Sequence, residues 1–141
     1  RVRTVGNGGT DGLIRNFAAT LEWADGSAAV LSQCLSGFEH HTLLEVSGET
    51  GAVRTWWTGA MDRTPHPEFA LKVQRGDREP EPIDIPRSGE VFELEENLRL
   101  ALAGFREGRS IFSPREARLA VEICLAADEA YRTGAPVELP R

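Results

Sequence analysis

Two periods divide the chain. Up to about residue 85, apolar residues alternate with polar or small ones; beyond residue 88 they recur every three or four positions. Alternation puts successive side chains on opposite faces of a strand, whereas the longer interval gathers them on one face of a helix. In FAATLEW (17–23), Phe17, Ala19, Leu21 and Trp23 take alternate places, and SAAVLSQCL (27–35) follows Ala24-Asp25-Gly26. Asp-Gly between two such runs predicts a hairpin over 16–35, with both central turn residues at positive φ. TLLEV (42–46) and AVRTWW (52–57) predict a second hairpin, with Gly48 and Gly51 at left-handed positions around its loop. Residues 58–68 hold two prolines, a glycine and no period, and read as a loop; FALKVQ (69–74) and IDI (83–85) resume the strands.

The helical half has two segments. In 88–108, Leu94, Leu98, Ala101, Leu102 and Phe105 share one face, and Gly108 supplies a stop. SPRE (113–116) predicts a capping box with Pro114 at the first helical position. The helix it opens is expected to run to about Tyr131, bury Ala117, Ala120, Val121, Cys124 and Ala127, and stop at Gly134. PVEL (136–139) offers a last short strand or arm. Strands followed by helices imply an α+β fold: one open, mostly antiparallel sheet of about six strands with two main helices on one face. The chain, residues 1–141, is expected to form a single domain.

Composition narrows the function classes. The net charge of −6 comes with scattered arginines that sit beside Asp or Glu, so no basic face suited to nucleic acid is evident. No apolar run approaches the ~20 residues of a membrane span, and no secretory signal is visible. Cys34 and Cys124, both inside apolar periodic segments, read as buried free thiols in a cytoplasmic protein. The chain begins RVRTV, strand-like from the first residues and without an initiator Met, as a piece of a longer protein would.

Chemistry-bearing residues concentrate in GFEHH (37–41). Neighbours on a strand point to opposite faces, so His40 and His41 do not converge on one metal, and Cys34, Asp62 and His66 complete no ligand pattern. Contact with a substrate and a purely structural role both remain open for them. No Ser or Cys occupies a nucleophile elbow. GNGGTDG (6–12) lacks a lysine and opens no helix, so the dinucleotide-binding fingerprint is absent and a loop is expected. Trp56 and Trp57 are adjacent and must face opposite sides of the sheet. Apolar residues on both faces predict that the face without helices is covered by another subunit or domain.

The order FAATLEWADGSAAVLSQCLSG, LLEVSGETGAVRTWW and NLRLALAGFREGRSIFSPREARLAVEICLAADEAYRTGAPVEL resembles the C-terminal domain of the Gfo/Idh/MocA oxidoreductases, relatives of glucose–fructose oxidoreductase and myo-inositol dehydrogenase. The resemblance covers about residues 15–140. It implies a substrate-binding and oligomerisation domain, paired in the parent protein with an N-terminal Rossmann domain that binds NAD or NADP. It further implies self-association through the uncovered sheet face. The family's cofactor loop and catalytic lysine and histidine segments have no counterpart here, so no catalytic, cofactor or metal ligand is expected in this chain. By alignment on EVSGETG, the resemblance puts GFEHH at the wall of a pocket for a small polar substrate. Phe38 and His40 are its foremost candidates, with His41 beside them and His66 of loop 58–68 behind. The expected function is that of the substrate-binding part of an NAD(P)-dependent oxidoreductase acting on a sugar, polyol or related hydroxy compound. The alternative is a self-contained dimerising or ligand-binding α+β module without redox chemistry.

Overall fold

A computed structural model describes residues 1–8, 12–35, 40–58 and 68–139. The chain is α+β, with seven strands in two antiparallel sheets and two helices among the described residues. It forms two compact units: Arg1–Gly37 with Phe112–Arg141, and Phe38–Ile111.

The first unit holds β1 (Val2–Gly8), β2 (Ile14–Glu22) and β3 (Ala28–Cys34), in the order β1-β2-β3, together with a helix over Pro114–Thr133. The second holds the four-stranded meander β4 (His41–Gly48), β5 (Gly51–Thr58), β6 (Glu68–Arg75) and β7 (Glu81–Ile83). Its helix, α1, spans Glu90–Arg106; Pro114–Thr133 is α2. The expected single sheet of about six strands is therefore corrected to two sheets of three and four, with one helix in each unit rather than both on one face. Alternation fixes which side chains share a face but does not say how many partners a strand takes, and among the described residues β3 pairs with β2 and β4 with β5.

In the first unit one face of the sheet meets α2. Val2, Thr4 and Gly6 lie opposite Leu21, Ala19 and Phe17 of β2, which lie opposite Ala29, Leu31 and Gln33 of β3. Gly8 pairs with Ile14 while Asn7 pairs with Asn16, so Arg15 is the extra residue of a bulge. The bulge resets the alternation and lets Ile14 line the same space as Phe17. Val2, Ala19, Ala126 and Ala130 are buried. The packing stripe of α2 thus runs along Ile123, Ala126, Ala127 and Ala130, half-buried or buried, not along the expected Ala117, Ala120, Val121 and Cys124, which are exposed. An alanine-rich helix offers two such stripes. Here α2 packs against β1 through its C-terminal half. Val137 closes the edge of β1: the Val2 amide donates to the Val137 carbonyl at 2.8 Å and the Val137 amide returns the bond at 2.9 Å.

The β2–β3 hairpin forms where expected, with a different turn. Trp23 and Ser27 close a loop in which Gly26 alone has positive φ, +88°, the pattern of a type I turn followed by a left-handed residue. Asp25 has ordinary φ because its carboxylate works locally: Oδ1 accepts from the Ser27 amide at 2.9 Å and from the Ser27 hydroxyl at 2.7 Å. These bonds favour the ionised form and hold the Asp25 carboxyl below its usual value.

The capping box of α2 is present. The Glu116 amide donates to Ser113 Oγ at 3.1 Å, and the Glu116 carboxylate accepts from the Ser113 amide at 2.9 Å and its hydroxyl at 2.7 Å. Those two bonds, the hydroxyl's first, lower the Glu116 pKa. Ser113→Ala is expected to cost about 1 kcal/mol of stability at neutral pH. A depressed carboxylate contributes stability that is fully present above the unfolded-state value, about 4.3, and lost as pH falls through the folded one. The gap between wild type and Ser113→Ala in urea titrations should therefore hold above about pH 5 and narrow below pH 4. A gap that widened on acidification would contradict this cap.

Candidate functional site

The β4–β5 hairpin places the histidines. Thr42 lies opposite Trp57, Leu44 opposite Thr55 and Val46 opposite Val53, while His41, Leu43 and Glu45 pair with Thr58, Trp56 and Arg54. β6 extends these rows, with Phe69, Leu71 and Val73 opposite Trp57, Thr55 and Val53. One face of the second sheet is accordingly apolar from strand to strand, and the other mixes apolar and charged residues. Trp56 and Trp57 fall on opposite faces.

His40 sits just before β4 at the Trp57 end of the apolar face. Its ring meets the Trp57 indole edge-on, with centroids 5.1 Å apart and planes at 76°. That contact fixes the imidazole at the rim while leaving His40 exposed, so its ring nitrogens can exchange hydrogen bonds with a ligand. His41 is exposed too and lies in register with Thr58 on the other face. Phe38 and His66 lie outside the described residues, as do Glu39 and Asp62. Among the described residues no group of three His, Cys, Asp or Glu side chains could hold a metal ion.

The mixed face carries a feature that the sequence reading passed over. Glu45, Arg54 and Lys72 form one row across β4, β5 and β6, and Ser47, Ala52 and Gln74 form the next. The Arg54 guanidinium pairs with the Glu45 carboxylate. Because Ala52 is small and its neighbours are long, the two rows enclose a shallow hollow of about 250 Å³, bounded also by Pro80. It presents donors from Arg54, Lys72 and Gln74, and acceptors from Glu45 and Ser47. The signal for it was the polar half of the same alternation, Glu45 and Ser47 against Lys72 and Gln74.

The cysteines differ from expectation. Both are free and both are exposed. Cys34 ends β3 opposite Asn16, on the face away from the helix, and Cys124 sits beside the stripe that α2 buries. Apolar surroundings in sequence did not become burial: Cys34 is turned away from the helix, and Cys124 borders an unfilled space between α2 and the sheet.

No helix among the described residues is long and apolar enough to cross a membrane. No protein-family model, curated protein or solved structure matches the chain.

Proposed function

We propose that this chain is the substrate-binding and oligomerisation part of an NAD(P)-dependent oxidoreductase acting on a sugar, polyol or related hydroxy compound. The carrying observation is His40, exposed and oriented by Trp57, at the open end of the hairpin formed by LLEVSGETGAVRTWW, where the resemblance puts the substrate wall. An imidazole held by an aromatic edge presents its nitrogens in a narrow range of directions. Such a group orients a hydroxylated substrate by hydrogen bonding, which fixes the carbinol carbon for hydride transfer. His40 is a binding residue in this reading. The nicotinamide, as NAD or NADP, supplies the redox chemistry from an N-terminal Rossmann domain of the parent protein.

A second copy of the chain is the proposed partner, seated on the apolar face of the four-stranded sheet. The contact centres on the end of that face away from His40, where Leu44, Val46 and Val53 are exposed and Leu71 and Val73 beside them are half-buried. Apolar surface that is continuous over three strands is costly to leave in water.

In the parent enzyme, His40→Ala is expected to lower kcat/KM for the preferred polyol or sugar about tenfold, the worth of one hydrogen bond of about 1.4 kcal/mol. The change should fall mainly on KM, with cofactor KM unchanged. Unaltered substrate KM and specificity would remove His40 from the pocket.

A further inference from the structure

We propose that the cavity between the three-stranded sheet and α2 binds a small apolar molecule bearing one hydrogen-bonding group, of the size and kind of a phenol. This site is in the first unit and does not depend on the dehydrogenase reading. The cavity holds about 200 Å³; Phe17, Leu21 and Leu31 line it from the sheet, and Ile123 and Cys124 from the helix. It exists because small residues, Ala19 in the sheet and Ala127 in the helix, stand where larger ones would close the layer. An apolar cavity of ~150 Å³ accommodates benzene, so the space suits a single substituted ring.

The polar group of the occupant follows from Thr4. Thr4 lines the cavity, and its Oγ1 is shielded from solvent with no hydrogen-bond partner. A buried hydroxyl without a partner is unusual, because leaving its hydrogen bonds unmade is unfavourable. Rotation about Cα–Cβ moves the hydroxyl among three staggered positions, so it can turn toward an occupant. Water suits the space poorly, since a held water needs two to four polar partners. Among the other lining residues, Asp128 is exposed and its Oδ2 accepts from the Arg132 guanidinium at 3.1 Å, and the Cys124 thiol is a weak hydrogen-bonding group. A hydroxyl on an aromatic ring meets both demands, filling the apolar volume and pairing with Thr4.

The test compares phenol with toluene, which has nearly the same shape and no hydroxyl. Titration calorimetry of the full chain should show both binding. The isosteric Thr4→Val variant should weaken phenol at least about tenfold while leaving toluene unchanged or tighter. Phenol should also slow alkylation of the exposed Cys124 in a Cys34→Ser background, a readout that needs no change at Thr4. Equal loss of both ligands in Thr4→Val, or an unchanged phenol-to-toluene ratio, would overturn the assignment. So would failure of both probes to bind, with Cys124 unreactive from the outset because the cavity is filled by other protein surface.

Discussion

Gly51→Ala is expected to destabilise the second unit by about 3 kcal/mol, combining backbone strain of ~1–3 kcal/mol with overpacking of similar size. Gly51 opens β5 with φ at +156°, and a Cβ added there would lie 2.1 Å from the Gln74 carbonyl oxygen of β6. Neither obstacle yields easily, because the oxygen belongs to backbone fixed in the adjoining strand and the conformation itself disfavours a side chain. Gly48 pairs with Gly51 across the hairpin, and its added Cβ would meet nothing nearer than 4.0 Å. Gly48→Ala should consequently be neutral, or stabilising by about 0.4–1 kcal/mol through the unfolded chain. Urea unfolding followed by the fluorescence of Trp56 and Trp57, in a Trp23→Phe background that silences the first unit, measures both variants in their own unit. Equal losses from the two substitutions would mean that the β5–β6 approach is not as close as described.

Leu44→Lys is expected to dissociate the proposed dimer, raising its Kd at least about 100-fold, whereas Leu43→Lys next to it should leave assembly unchanged. Both side chains are exposed on β4, so general hydrophobicity does not separate them; the face does. Leu44 continues a row into Thr55 and Leu71, and Leu43 continues one into Trp56 and Ala70, on the face of the Glu45–Arg54 pair. Burying a leucine is worth about 2–3 kcal/mol, and a lysine in its place adds the cost of desolvating a charge. Sedimentation at several concentrations reads the result. A wild-type chain that stays monomeric, or two variants with equal effect, would contradict pairing through this face.

The parts of the fold legible in sequence are those governed by neighbours in sequence. The period-2 runs gave the strands, and Ser113 with Glu116 gave a cap that forms as expected. Gly108 and Gly134 fall at the helix ends. Illegible were choices made at longer range. TLLEV and AVRTWW predict the β4–β5 hairpin that forms, but nothing in them says that β4 does not also pair with β3, and so one sheet was expected where two are found. In α2, alanines lie on more than one side of the helix, and selection of Ala126 and Ala130 depends on contact with β1. The Asp25-Gly26 turn shows the same limit at small scale, because Asp25 bonds to Ser27 instead of adopting positive φ.

The candidate site was legible to the same degree. Alternation separates His40 from His41 without any structure, but the edge contact between His40 and Trp57 needed the β4–β5 register. The hollow around Ala52 needed three strands in register and could not be seen in any one of them.

Hydride transfer by the protein encoded in the reading frame that contains Arg1 tests the central claim most directly. A Rossmann segment is expected to precede Arg1 in that frame. At least one member of a panel of sugars and polyols should reduce NAD or NADP, with His40→Ala raising the KM for that substrate. A frame that starts immediately before Arg1, with a product that neither binds nor reduces a nicotinamide cofactor, would contradict it.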